Sequence, residues 1–171
     1  MLTPTVPPTA SPAVYKPATD QGPAENVPVP VLPDKAKEFS KEGLIAFAEY
    51  WYSTLGYAYE TGNVTPLQVI SDPTCSSCQR VEASVGQQYG AGGWLVGGHM
   101  VVHQASSTFN EMADGTYQAV LTIQQKKVTA YAMDGTVDSE SDQTIARPDI
   151  VMASFSDGRW IALRVEHLTK D

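Results

Sequence analysis

Cys75 and Cys78 are the only two cysteines of the chain, and two serines separate them. A pair this close could form a local disulfide, act as a redox couple or supply half of a metal site. In a helical turn, residues three apart lie about 5–6 Å from each other, which is within disulfide range. A zinc site would need two further ligands, and no second Cys-x-x-Cys motif or nearby histidine pair supplies them. The pattern favours a structural disulfide at the start of a helix, with a redox pair as the alternative.

The histidines are the other candidates for acid–base or metal chemistry, and there are three of them: His99, His103 and His167. His99 and His103 are four residues apart on a predicted strand, which places them on one face with their Cα atoms about 13 Å apart. That separation is too large for both to bind one metal ion, so we predict no metal site. The two side chains are interpreted either as part of a partly exposed sheet face or as part of a pocket wall.

The carboxylates of the first long helix do not indicate a catalytic site. Glu42, Glu49 and Glu60 are predicted to lie on the side opposite the apolar stripe of this helix, where they face solvent. An enzyme of the isomerase type needs a carboxylate inside an apolar pocket. The apolar alternations in Trp94–Val102 and Ala119–Ile123 contain none. We therefore predict no catalytic residue and no cofactor.

Aromatic side chains are predicted to lie between the helices and the sheet. Ligand pockets are mostly apolar and contain a few polar groups, so these side chains could line a small cleft. Plain core packing of the same residues is the alternative. The candidate lining residues are Trp51, Tyr52, Tyr59, Tyr89, Trp94, His99 and His103.

Residues 1–33 differ in composition from the rest of the chain, because they contain nine of its 12 prolines. Proline lacks a backbone donor and favours the extended polyproline II conformation. This segment is therefore predicted to be a flexible, proline- and threonine-rich stalk. The remaining residues, 34–171, are numerous enough for one domain with its own core.

The first part of this domain has helical spacing. Asp34 can cap a short turn, and Ser40 can cap a long helix over Lys41–Thr61. Further helices are predicted over Thr65–Ser71 and Cys75–Tyr89. The apolar stripe of the long helix consists of Leu44, Phe47, Ala48, Trp51, Leu55, Ala58 and Tyr59.

From Trp94 onward the apolar residues alternate with a period of two, which predicts strands. The predicted strands are Trp94–Phe109, Thr116–Ala132, Val137–Ala146, Asp149–Phe155 and Arg159–His167. Asp-Gly pairs between them favour tight hairpins and therefore antiparallel pairing. Helices followed by such a meander predict an α+β fold, in which N-terminal helices pack on one curved, cone-shaped antiparallel sheet of four to six strands.

This order of elements resembles the nuclear-transport-factor-2-like superfamily. Four segments resemble, more closely, an uncharacterised family of actinobacterial cell-surface lipoproteins; they are Ala46–Tyr52, Tyr57–Gly62, Asp72–Gln79 and Tyr89–Gly93. The resemblance covers roughly residues 34–167. It implies a secreted protein of unknown activity, in which a lipid-modified cysteine, absent from this sequence, would precede the proline- and threonine-rich stalk.

The charge balance argues against two classes of partner. The chain has 11 Lys and Arg against 19 Asp and Glu, a net charge of −8. Nucleic acids and anionic membrane surfaces both require clustered cations. Met1 leads directly into Leu2-Thr3-Pro4, without the basic and apolar regions of a signal peptide. This start fits either a cytosolic protein or a mature form from which an export signal has been removed.

Together with the resemblance, these observations predict a non-catalytic binding or accessory module of a bacterial cell envelope. The expected location is the extracellular face of the membrane, reached through an inferred N-terminal lipid anchor, or the secreted fraction. The partner would be an envelope protein or a small ligand. The alternatives are a small-molecule enzyme that uses the cone cavity and a thiol–disulfide protein that uses Cys75 and Cys78.

Overall fold

A computed structural model describes residues 13–168 of the chain. A short 3₁₀ helix, Asp34–Lys37, precedes three α-helices: α1 (Lys41–Thr61), α2 (Thr65–Gln68) and α3 (Ser76–Gly90). Seven strands follow: β1 (Trp94–Gly97), β2 (Met100–Ser106), β3 (Tyr117–Gln125), β4 (Val128–Tyr131), β5 (Val137–Ser141), β6 (Arg147–Ser156) and β7 (Arg159–His167). The structure confirms the predicted α+β class, with helices before strands.

Helix α1 begins and ends where the sequence predicts. The Ser40 hydroxyl accepts a hydrogen bond of 3.0 Å from the Gly43 amide, which caps the first turn. Gly62 ends the helix with a φ of 75°, a left-handed conformation that glycine adopts without steric cost. The buried apolar side chains of α1 are Leu44, Phe47, Ala48, Trp51, Tyr52, Leu55 and Ala58.

The strands form two antiparallel sheets instead of the single sheet that was predicted. One has the strand order β2-β3-β6-β7 and the other the order β1-β4-β5. The predicted strands Trp94–Phe109 and Thr116–Ala132 are each divided between the two sheets. Gly97 and Gly98 make the first division, with φ values of 81° and 76°. A β-carbon at Gly97 would collide with the Lys127 carbonyl oxygen, so only glycine fits this corner.

Other boundaries differ less from the prediction. Strand β5 ends at Ser141, so residues 142–146 of the predicted strand Val137–Ala146 are not part of it. Helix α2 is one turn long and ends at Gln68 instead of Ser71. Strand β7 covers the same residues as predicted.

The core lies between α1 and the four-stranded sheet, and a β-bulge determines which residues of β7 face it. Met152 pairs with Arg164 and Ala153 pairs with Ala162, so Leu163 is an extra residue without a partner on β6. A bulge shifts the alternation of the strand by one residue. The buried sheet side chains in the core are Ala119, Leu121, Ile123, Val151, Ala153, Trp160, Ala162 and Val165.

The described part of the proline-rich segment, residues 13–33, contacts the domain. Two isolated antiparallel bridges close a hairpin within residues 16–25. The indole N–H of Trp94 donates a hydrogen bond of 2.8 Å to the Thr19 carbonyl. The hairpin therefore lies against the indole of Trp94, the first residue of β1. The remainder of the predicted stalk, residues 1–12, lies outside the described residues.

Candidate functional site

A cavity of about 630 Å³ opens between α1, α3 and the four-stranded sheet. This volume lies within the range of about 300–1,000 Å³ that is usual for small-molecule pockets. The apolar part of its wall consists of Trp51, Leu55, Val81, Met100, Ile123 and Val165. The cavity can therefore accommodate the apolar body of a small molecule.

A buried carboxylate, Asp149, lies in the wall of this cavity between two hydrogen-bonding partners. The residue is 3 % exposed. The Tyr52 hydroxyl donates a hydrogen bond of 2.5 Å to Oδ2, and Nδ1 of His167 lies 2.5 Å from Oδ1. Burial, and then the negative charge of Asp149, raise the pKa of Tyr52 far above its ordinary value, so the hydroxyl stays protonated and remains a donor.

The fold brings these three residues together from distant parts of the chain. Asp149 and His167 are direct cross-strand partners on β6 and β7. Tyr52 reaches them from α1, 97 residues away in sequence from Asp149. We refer to Tyr52, Asp149 and His167 as the Tyr–Asp–His chain.

The Tyr–Asp–His chain orients the imidazole at the cavity. When Nδ1 of His167 donates to the carboxylate, Nε2 of the neutral ring is left as an acceptor. The His167 side chain is 66 % exposed, so a molecule in the cavity can approach its ring. A histidine held in this way can accept a hydrogen bond from a ligand or take a proton from it.

Two arginines contribute positive charge to the cavity wall. Arg80 comes from α3 and Arg147 from the start of β6, and both are exposed. Among residues 13–168, neither guanidinium forms an ion pair. Glu166 also lines the cavity, but it lies 3.6 Å from Arg164, which offsets its charge.

The structure places three of the predicted lining residues, Trp51, Tyr52 and Tyr59, in the cavity wall. It places Tyr89 and Trp94 elsewhere. The Tyr89 hydroxyl donates a hydrogen bond of 2.8 Å to the Tyr59 carbonyl, and burial raises the pKa of Tyr89 to about 12. Trp94 stacks on Tyr131 of the smaller sheet, with ring centroids 5.4 Å apart.

His99 and His103 also lie outside the cavity wall, and both are exposed. His99 is in the glycine corner between β1 and β2, so it does not share a strand with His103. A register shift occurs at His103, between Val102 and Gln104, and its Nε2 lies 3.1 Å from Gln124 Oε1. The prediction that both histidines face a pocket assumes one unbroken strand with alternating side chains. The glycine corner and the register shift at His103 interrupt that alternation.

The disulfide between Cys75 and Cys78 is present, with an S–S distance of 2.01 Å. Both cysteines are 1 % exposed. The Cys75 sulfur caps α3 by accepting a hydrogen bond of 3.3 Å from the Cys78 amide. Since α3 provides part of the cavity wall, the disulfide fixes the start of that wall. Burial of both sulfurs restricts access by a thiol, which argues against a redox role.

Within residues 13–168, no group of three or more His, Cys, Asp or Glu side chains is arranged to hold a metal ion. In the same part of the chain, no helix has the length and apolar character required to cross a bilayer.

A protein-family model matches residues 13–166, nearly the whole described chain. The chain belongs to the Family of unknown function (DUF6318). The matched region of this DUF6318 protein includes most of the proline-rich segment that contacts the domain. A search of curated proteins finds no match.

Several solved structures align with this DUF6318 protein at low sequence identity. The intermembrane space region of chloroplast protein ARC6 is 11 % identical with a TM-score of 0.54, and the match covers 78 % of this chain and 99 % of that one. Aln2 from a Streptomyces species is 11 % identical with a TM-score of 0.46, covering 76 % of this chain and 93 % of that one. A protein whose name includes NTF2 is 13 % identical with a TM-score of 0.37, and the match covers 71 % of this chain and 96 % of that one. At these identities the first match shows a similar fold alone.

Proposed function

We propose that this DUF6318 protein is a non-catalytic extracytoplasmic module that binds a small molecule in the cavity between α1, α3 and the four-stranded sheet. The observation that carries the proposal is the Tyr–Asp–His chain in the wall of a cavity whose remaining lining combines apolar side chains with polar ones. Burying a carboxylate is unfavourable unless hydrogen bonds compensate it. Asp149 contacts Tyr52 through one oxygen and His167 through the other, and it thereby holds the His167 imidazole in the cavity wall, where a bound molecule can contact it.

The proposed location rests on two further observations. The disulfide is typical of proteins that mature outside the reducing cytosol. The sequence resembles actinobacterial cell-surface lipoproteins in which a stalk follows a lipid-modified cysteine. Residues 1–33 would then connect the domain to an N-terminal lipid anchor on the outer face of the membrane. The hairpin that contacts Trp94 would hold the end of this connection against the domain.

The proposed binding site can be tested with one pair of tryptophan variants. Ser84 and Ala83 are neighbouring exposed residues of α3, but only Ser84 lines the cavity. Small molecules with apolar bodies would be screened by thermal unfolding. A ligand present at about 100 times its Kd stabilises the folded state by about 2.7 kcal/mol, or roughly 5–10 °C for a chain of this size.

Ser84→Trp should fill the cavity mouth and abolish the ligand-induced shift, whereas Ala83→Trp should retain it. The proposal fails if no compound raises the melting temperature of the wild type. It also fails if Ser84→Trp and Ala83→Trp respond to the ligand equally.

An enzyme that uses the same cavity is the second candidate function. The specific observation in its favour is the contact between Asp149 and Nδ1 of His167, which leaves Nε2 able to act as a general base. A bound molecule would be incubated with the protein and followed by NMR. Recovery of the unchanged molecule supports the binding module. Conversion by the wild type that is lost in His167→Gln would establish the enzyme instead.

A further inference from the structure

Two arginines of the cavity wall form no ion pair among the described residues, whereas the two carboxylates of the wall already have partners. The whole chain has a net charge of −8, yet Arg80 and Arg147 approach the same cavity without ion pairs among the described residues. The two carboxylates in the wall are already engaged. Asp149 has one oxygen bonded to Tyr52 and the other to His167, while Glu166 lies beside Arg164.

We propose that the cavity binds an acidic amphiphile, with its apolar body against Trp51, Leu55 and Val165 and its carboxylate at Arg80 and Arg147. This inference rests on the proposed binding function of the cavity and adds the chemical class of the ligand. A guanidinium presents parallel N–H donors that match the two oxygens of a carboxylate, and it sheds its hydration more readily than an ammonium group. The apolar side chains and the two arginines of the wall would thus contact the two ends of one molecule.

Ligands of other charge fit the wall less well. A cationic head group would need a free carboxylate, but both oxygens of Asp149 have partners and Glu166 has its own counter-ion. A neutral ligand would leave the N–H donors of the exposed Arg80 and Arg147 to water and gain nothing from them. An anionic head group offsets them without breaking an existing contact.

The test compares three probes with the same apolar chain: decanoate, decanol and decylamine. Each would be titrated into the full-length protein by isothermal calorimetry below its aggregation concentration. Decanoate should bind at least about tenfold more tightly than decanol, since each hydrogen bond to a charged group is worth about that factor. The preference should decrease as salt is added, because both arginines are exposed.

Arginine variants then test whether the carboxylate of decanoate binds at Arg80 and Arg147. Arg80→Gln with Arg147→Gln should remove the preference, so that decanoate no longer binds more tightly than decanol. Arg159→Gln is the matched control, because Arg159 is an exposed arginine at the start of β7 that does not line the cavity. This control should keep the wild-type preference.

The remaining outcomes overturn the inference in distinguishable ways. If decanol equals decanoate, or if decylamine binds most tightly, the acidic-ligand inference fails while binding in the cavity stands. If the arginine variants keep the preference, the assigned head-group site is wrong. If none of the three probes binds, the acidic amphiphile is excluded. The proposed binding function fails with it only if the thermal screen also finds no ligand.

Discussion

The hydrogen bond between Tyr52 and Asp149 should make a measurable contribution to stability. Both residues are buried, at 4 % and 3 % exposure. Tyr52→Phe leaves one oxygen of a buried carboxylate without its partner, and Asp149→Ala leaves a buried hydroxyl without an acceptor. A buried polar group that loses its partner costs about 1–3 kcal/mol, and a charged group costs more. Each single variant should therefore lose at least about 1 kcal/mol of its free energy of unfolding.

The double variant separates the interaction from the individual losses. Tyr52→Phe with Asp149→Ala removes both polar groups, so neither is left buried and unsatisfied. Its destabilisation should be smaller than the sum of the two single losses by about 1–3 kcal/mol. His167→Ala should cost about 1 kcal/mol or less, because the imidazole is 66 % exposed and water can replace it.

Urea unfolding of the wild type and the four variants measures the five free energies of unfolding. A change in midpoint with an unchanged slope would show that stability, and not the compactness of either state, has changed. Single losses that add to within about 0.5 kcal/mol would refute the coupling between Tyr52 and Asp149. A His167→Ala loss as large as that of Asp149→Ala would show that the exposed end of the Tyr–Asp–His chain carries the stability instead.

Three further predictions concern the rest of the fold. In urea unfolding, Trp51→Ala should lower the free energy of unfolding by about 3–5 kcal/mol, because it leaves a cavity at a buried site. Glu49→Ala, at an exposed position of the same helix, should lower it by about 0.5 kcal/mol or less. Equal losses would contradict the orientation of α1. A chain without residues 1–33 should lose about 2 kcal/mol of stability, because the hydrogen bonds of this segment to the domain are lost. An unchanged melting temperature would show that these contacts do not stabilise the domain. Unreduced protein should resist alkylation at Cys75 and Cys78, as judged by intact mass, and two labelled thiols would exclude the bond.

Local signals were sufficient to predict α1, but not the division of the long strands. Ser40 and Gly62 specify the two ends of α1. Each does so through a contact with a residue only three or four positions away. The corner at Gly97 depends on a second chain segment, because the Gly98 amide donates a hydrogen bond of 2.9 Å to the Lys127 carbonyl. Alternation continues on both sides of this corner, so the pattern does not reveal that the chain passes from one sheet to the other.

The candidate site was partly accessible from the sequence. Asp149 lies in phase with Val151 and Ala153 on a predicted strand, so simple alternation places its carboxylate on the buried face. The long helix and the earlier strands contain no such carboxylate, so a prediction drawn from them alone does not include Asp149. The aspartate could therefore have been found by applying the same rule to one more strand.

His167 could not have been placed in the same way, because the bulge at Leu163 reverses the alternation within β7. Trp160 and Ala162 face the core, so an unbroken strand would turn residue 164 inward and residue 167 outward. The extra residue instead brings His167 onto the face of Asp149, directly opposite it on β6. The meeting of these two side chains thus depends on sheet register, which their spacing in sequence does not determine. For the same reason, an insertion or deletion in β7 would affect the candidate site more than many substitutions within the cavity wall.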